Sequence, residues 1–143
     1  MRSEIAIYDL ASGAAQSLLK TERLVEAPNW SPDGGSLIVN GDGHLYAVDL
    51  KNPGMIKIDT GLVNNCNNDH GISPDGKMLV ISDSFEEGGS RIYTLPFGGG
   101  APALAQGKSP SYWHGWSPDG KTLAYVAKRG PTFQVHTCPV GGG

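Results

Sequence analysis

Short runs of alternating apolar and polar residues recur along this chain, and no longer segment shows a convincing helical period. One type of run is Leu45–Leu50, and equivalent runs begin at Ile5, Ile92 and Val135. A second type is rich in aliphatic residues, as in Leu37–Val39. Glycine-containing turns separate the runs. The pattern predicts an all-β chain of short antiparallel strands.

A repeated tetrapeptide sets the phase of these strands. Ser-Pro-Asp-Gly occurs three times, at Ser31–Gly34, Ser73–Gly76 and Ser117–Gly120, with starts 42 and 44 residues apart. Proline presets φ, aspartate suits the third turn position and glycine accepts positive φ, so each copy predicts a hairpin with a glycine bulge. The turn residues expected to be structural are Pro32, Asp33, Gly34, Pro74, Asp75, Gly76, Pro118, Asp119 and Gly120.

Alignment on the tetrapeptide predicts a unit of four strands, A to D, with the tetrapeptide joining A to B. The chain then opens with strands C and D in residues 1–21, continues with complete units at 22–60 and 61–106, and closes with A, B and C in 107–143. Four-stranded units of about forty residues are typical of β-propeller blades. The sequence therefore predicts about three blades and one spare strand.

The repeat resembles a known propeller family. W-S-P-D-G-x-x-L at Trp30–Leu37, followed by L-Y-x-V-D-L at Leu45–Leu50, resembles the propeller repeat of TolB and its relatives. Trp116–Leu123 repeats the first half, and Ile72 replaces tryptophan in the middle copy. Prolyl-oligopeptidase-type enzymes and oligogalacturonate lyases carry similar propellers. The resemblance implies a six-bladed ring, of which this chain is a three-blade half, and a periplasmic location by analogy with TolB.

The two ends of the chain are complementary. Three blades cannot close a ring, so the apolar faces of the end blades would meet water. One end supplies strands A, B and C, and the other supplies C and D. We predict a homodimeric six-bladed propeller with strand exchange at both seams, in which one C strand per seam is redundant. The alternative is that the chain is a fragment whose missing half belongs to the natural gene.

Bulky apolar residues precede each tetrapeptide, and two cysteines fall elsewhere in the repeat. Trp30, Ile72 and Trp116 occupy equivalent positions, so we expect them to pack one blade on the next. Cys66 and Cys138 do not form a Cys-x-x-Cys pair, and we expect both to be free thiols. Cys138 aligns with apolar strand residues and should be buried, whereas Cys66 should be more exposed.

Two histidines are candidates for chemistry. His70 and His114 each lie three residues before a tetrapeptide serine, on the strand that lines the channel of a propeller. Two imidazoles at one level of a channel could share a divalent metal ion. Oligogalacturonate lyases are similar in using channel histidines to hold a metal beside a sugar acid. The alternative is that both rings bond to backbone near the channel mouth, with no cofactor.

The connections before these strands are candidates for ligand binding at one rim. Asn67, Asn68 and Asp69 suit hydroxyl-rich or peptide ligands, although such residues also form turns. Tyr112 and Trp113 could stack on a sugar or peptide, or could pack between blades. With the two histidines, these residues form the predicted ligand set.

Composition and missing motifs narrow the function. The net charge is −3 without a basic run, which argues against nucleic acid and anionic membrane surfaces as partners. Apolar stretches are too short for a transmembrane helix, and the N-terminus lacks the apolar core of a signal peptide. The protein is then cytosolic, or a targeting segment lies outside this sequence. Neither a Gly-x-Ser-x-Gly elbow nor a P-loop occurs.

Three functions are compatible with this sequence. The first is a non-catalytic scaffold that binds protein or peptide partners and completes its ring with a second copy. The second is a metal-dependent sugar-acid lyase or other carbohydrate-active propeller. The third is a half-propeller fragment whose defining property is assembly with itself or with the missing half.

Overall fold

The computed structural model describes residues 2–85 and 89–142. All regular elements in these residues are β-strands, and none of the described residues forms a helix that could cross a membrane. The strands are β1 (Ser3–Tyr8), β2 (Ala15–Thr21), β3 (Glu26–Trp30), β4 (Ser36–Gly41), β5 (His44–Asp49), β6 (Met55–Lys57), β7 (Cys66–Ile72), β8 (Met78–Phe85), β9 (Gly89–Pro96), β10 (Ala103–Gln106), β11 (Ser111–Trp116), β12 (Thr122–Lys128) and β13 (Phe133–Pro139).

The described strands form four antiparallel sheets in chain order. The first sheet contains β1 and β2, and the last contains β11, β12 and β13. Between them lie two four-stranded sheets, β3 to β6 and β7 to β10. Each strand pairs with its neighbour in sequence, as expected for propeller blades. This architecture confirms the predicted all-β class, while the predicted unit boundaries stay a prediction.

The tetrapeptide turns have the same geometry in all three copies. In the first, the Gly34 N–H donates to the Ser31 carbonyl at 2.9 Å, and Gly34 has a φ of 68°. The Ser31 hydroxyl donates to the Asp33 carboxylate at 2.6 Å and accepts the Ser36 N–H at 2.9 Å. The hydroxyl of Ser31 thereby holds the pKa of Asp33 below its ordinary value. These aspartates organise turns, which agrees with a structural role.

The apolar core is divided among the interfaces between neighbouring sheets. Ile5 of the first sheet packs with Leu37 and Val48 of the second. The other two clusters join the second sheet to the third and the third to the fourth. At the open end of the last sheet, Phe133 and Val135 on β13 are exposed. Each sheet thus depends on a neighbour to cover its face, and the end sheets have one neighbour each in the described chain.

Two expectations about buried residues are wrong. Ile72 and Trp116 pack against the clusters between sheets, but Trp30 is 53% exposed. Trp116 lies beside the Ser73–Gly76 turn and Met78 of the preceding blade, whereas the described first sheet, which precedes Trp30, contains only β1 and β2 and has no such turn. Cys66 is buried rather than exposed, and burial raises the pKa of its thiol to about 12. Cys138 is buried, as expected, and both thiols are free.

Candidate functional site

The candidate site lies where the first strands of successive sheets converge. Strand β7 packs against both β3 and β11, as the inner strands of a propeller do. Side chains cross between these strands: the Asn29 amide donates to the His70 carbonyl at 3.3 Å, and His114 Nδ1 lies 3.8 Å from Asp69 Oδ1. We refer to Asn29, Asp69, His70, Trp113 and His114 as the inner-strand cluster.

The His70 side chain connects two neighbouring sheets within this cluster. Its side chain is buried, and Nε2 lies 3.4 Å from the Ile38 carbonyl on the neighbouring sheet. Burial lowers the pKa of His70 because the charged imidazolium loses hydration. A neutral ring with hydrogen on Nε2 donates to this carbonyl. His70 therefore links β7 to β4 through a backbone group.

His114 and Asp69 form the accessible part of the cluster. The His114 side chain is 54% exposed, and the Asp69 side chain is 18% exposed. Burial raises the pKa of the Asp69 carboxyl, and the neighbouring His114 opposes that rise. This pair places a carboxyl group and an imidazole side by side, from two different blades.

The two histidines differ although they hold equivalent positions in the repeat. Each inner strand contains a register shift, and its position varies. In β7 the shift precedes His70, which pairs in register with Ile81. In β11 it falls between Trp113 and Gly115, so His114 lies within the bulge. Because a bulge re-aims side chains, one imidazole is buried and the other is exposed.

The described residues contain no group of three or more His, Cys, Asp or Glu side chains arranged to hold a metal ion. A metal ion shared by His70 and His114 therefore stays a prediction. His70 Nε2 lies near the Ile38 carbonyl, and His114 Nδ1 lies near the Asp69 carboxylate.

Trp113 packs between blades. A Cβ atom at Gly71 would lie 2.6 Å from Trp113 Cζ3, so the indole ring occupies the space that a side chain would need. The backbone N–H of Trp113 also donates to Ser82 Oγ at 2.9 Å. Tyr112, in contrast, is partly buried, with its ring centroid 6.4 Å from that of Phe133.

The asparagines of the β7 segment have different roles. Asn67 Oδ1 accepts the Asp69 N–H at 2.9 Å, and its amide donates to Ser84 Oγ at 3.0 Å. This is the turn-forming behaviour expected of asparagine. Asn68 is exposed. Of the predicted ligand set, Asn68 and His114 are therefore exposed, and Asp69 is partly exposed.

Two polar residues that hold the site in place, Asn29 and Arg129, were not predicted from the sequence. Asn29 supplies the amide that bonds to the His70 carbonyl. Arg129 donates to the Pro110 carbonyl at 2.8 Å and to Ser111 Oγ at 2.6 Å, and so holds the connection that leads into β11. Neither residue belongs to a repeated motif. Both act through contacts that become visible only when separate segments are packed together.

Comparison with known proteins places this geometry in context. The sequence profile described as TolB beta propeller domain matches residues 1–143. An uncharacterised protein of Agrobacterium fabrum is 47% identical over 144 residues, a match that covers 100% of this chain and 49% of that protein. The chain thus spans about half the length of this curated relative.

Solved structures agree with that match. One from Agrobacterium tumefaciens, named as a candidate TolB, has a TM-score of 0.92 and 48% identity, covering 98% of this chain and 51% of its own. TolB from Acinetobacter baumannii has a TM-score of 0.79 at 21% identity, covering 98% of this chain and 36% of its own. The second likeness concerns the fold alone.

Proposed function

Because this chain belongs to the TolB beta propeller family, we propose that it is a non-catalytic propeller scaffold that binds a protein or peptide at its inner-strand cluster. The observation that carries the proposal is the Asp69–His114 pair, which joins two blades and is accessible on the His114 side. A carboxylate and an imidazole held by rigid strands are suited to hydrogen-bonding groups of a peptide.

The packing around the pair supports a binding role. Asn29 joins two inner strands through the His70 carbonyl. His70 and the Trp113 backbone N–H bond instead to Ile38 and Ser82, which lie on the second strands of the neighbouring sheets. The polar groups are therefore held in place before a ligand arrives, which lowers the entropy lost on binding. The net charge of −3 and the Asp69 carboxylate favour a peptide that carries a lysine or arginine side chain.

We also propose that the scaffold acts as a closed ring formed by two copies. In the described chain β1 pairs only with β2, and β13 pairs only with β12, so each has an unpaired edge. Unpaired strand edges favour association with another chain. In such a ring, β1 of one copy and β13 of the other compete for one strand position, and one of them is displaced.

Selection from a random peptide library displayed on phage tests the binding proposal. Selected peptides are titrated against the native chain and the variants Asp69→Asn and His114→Ala. We expect each variant to weaken binding at least about tenfold, because each removes a polar partner from the site. Asp42→Asn is the matched control, since Asp42 is an exposed carboxylate in a hairpin turn that pairs with Arg23.

The proposal predicts a specific difference between these variants. Equal binding by the native chain, Asp69→Asn and His114→Ala would contradict a ligand site at the inner-strand cluster. Loss of binding in Asp42→Asn as well would indicate a non-specific charge effect. Circular dichroism of each variant establishes that the fold is retained.

A further inference from the structure

The junction between the second and third sheets and the junction between the third and fourth sheets share a set of contacts. Consecutive tetrapeptide turns stack on one another. A Cβ atom added at Gly76 would lie 2.5 Å from Pro32 Cγ, and one added at Gly120 would lie 3.8 Å from Pro74 Cδ, which shows how closely each pair of turns approaches. Trp116, which precedes the third turn, lines a groove together with Ser73, Pro74 and Asp75 of the second turn. Each turn therefore packs on the proline side of the preceding one.

We call the side of a blade that faces the preceding blade its leading face. The leading face of the first complete blade has the same parts, but the described first sheet, β1 and β2, supplies no tetrapeptide turn to cover them. Gly34, which is equivalent to Gly76 and Gly120, has nothing within 4 Å of its Cβ position. Trp30, which is equivalent to Trp116, is 53% exposed. It borders an open groove of about 160 Å³ lined by Ala6, Ile7, Tyr8, Pro28 and Leu37.

We call the side of a blade that faces the following blade its trailing face. The trailing face of the last blade is uncovered in the described chain, at the positions that complement the leading face. Gly71 is covered by Trp113 of the next blade, but the equivalent Gly115 has nothing within 4 Å of its Cβ position. Pro118 holds the repeat position from which Pro32 and Pro74 contact the next glycine. The chain thus has one leading face and one trailing face that would form a third junction of the same kind.

We propose that a second copy of this chain occupies the leading face, with its Ser117–Gly120 turn against Trp30 and Gly34. This inference rests on the proposed ring and specifies its seam. Continuity favours a second copy, because the junctions on either side of the third sheet already use these repeat positions.

The seam is closed by symmetry. It joins the leading face of one copy to the trailing face of the other, and the two-fold axis pairs each residue contact with its reverse, as in any isologous dimer. Two copies related by a two-fold axis form it twice, and no open face remains. The same contact without closure would give longer chains of copies. The seam therefore accounts for a dimer as the end state of assembly.

Substitution of Trp30 tests the seam. Light scattering after size-exclusion chromatography gives the mass, and a dilution series gives the dimer dissociation constant. Because Trp30 is half exposed in the single chain, Trp30→Glu should preserve the fold and weaken the dimer at least about tenfold. Leu62→Glu is the matched control, since Leu62 is 96% exposed and lies outside the seam residues.

The possible results distinguish a failure of the proposed seam from a failure of the proposed ring. A dimer of native strength in folded Trp30→Glu would overturn the seam and leave another dimer interface. A monomeric native chain would overturn both the ring and the seam, and would indicate a different polypeptide as the occupant. Neither result alters the peptide titration that tests the binding site.

Cross-linking provides a second measurement that does not depend on loss of assembly. The variant Trp30→Cys with Pro118→Cys, treated with a short bismaleimide, should give a covalent dimer on a denaturing gel. Trp116→Cys with Pro74→Cys is the matched internal pair and should give a cross-linked monomer, because both positions line one groove. The native chain, with its two buried thiols, is the blank. A native-strength dimer that yields only the internal cross-link would overturn the seam.

Discussion

The fit between Gly71 and Trp113 predicts how much one methyl group destabilises a blade junction. A Cβ atom at Gly71 would lie 2.6 Å from Trp113 Cζ3, whereas carbon atoms in contact are normally about 3.5–4.0 Å apart. The indole must therefore move by more than about 1 Å, because its Cη2 atom would lie closer still. The backbone N–H of Trp113 donates to Ser82 Oγ, and its side chain packs on the cluster between the third and fourth sheets. Both contacts resist that movement.

The magnitude follows from two opposing effects. Overpacking a well-packed interface costs about 1–3 kcal/mol in the free energy of unfolding. Replacing glycine by alanine also reduces the freedom of the unfolded chain, which stabilises by about 0.4–1 kcal/mol where φ is compatible. Gly115→Ala provides the matched control, because Gly115 holds the same repeat position with nothing within 4 Å. The difference between the two variants should therefore be about 1–3 kcal/mol.

Urea unfolding monitored by tryptophan fluorescence measures this difference. All variants are compared at one protein concentration low enough to keep them monomeric, because Gly115 lies on the proposed seam. Gly71→Ala should unfold at lower urea than the native chain, and Gly115→Ala at equal or higher urea. Combining Gly71→Ala with Trp113→Leu should cost less than the two single changes added together, because the smaller side chain relieves the contact. Equal midpoints for Gly71→Ala and Gly115→Ala would refute the reasoning.

Other residues give three further predictions. Gly76 and Gly34 have φ of 72° and 68°, so alanine should destabilise both, but Gly76→Ala should cost about 1 kcal/mol more because its methyl group meets Pro32; equal urea midpoints would contradict that contact. Because burial lowers the pKa of His70 from 6.5, the unfolded state binds the proton more readily. Unfolding free energy should fall as pH decreases below about 6.5, and His70→Gln should reduce that slope; an unchanged slope in urea titrations from pH 7 to 5 would count against it. Since the pKa of the buried Cys66 thiol is about 12, a thiol reagent at pH 8 should label it only in urea, and rapid native labelling would contradict the burial.

Much of the fold could be predicted from local chemistry. The three tetrapeptides define turns because proline, aspartate and glycine each favour one backbone position, and the serine hydroxyl completes the same hydrogen bonds in each copy. The alternating runs between them predict strands because alternate side chains point to opposite faces of a sheet. These are short-range effects, so a single sequence contains the information.

The candidate site could be predicted only in part. The repeat placed His70 and His114 on equivalent inner strands, and both are there. Their environments differ because the register shift falls before His70 in β7 and at His114 in β11. A one-residue shift reverses the direction of a side chain, and the sequence contains no local signal for where the shift occurs. The roles of Asn29 and Arg129 were not predicted for a related reason, since their partners are distant in sequence.

The sequence by itself determined the strand type, the turn chemistry and the phase of the repeat, because these depend on backbone preferences of neighbouring residues. Only the tertiary structure decided which equivalent residues are covered. Trp116 and Trp30 precede identical tetrapeptides, yet one packs against the preceding blade and the other is half exposed. The difference arises because burial depends on what lies on the other side of a residue, and a blade obtains that cover from its neighbour.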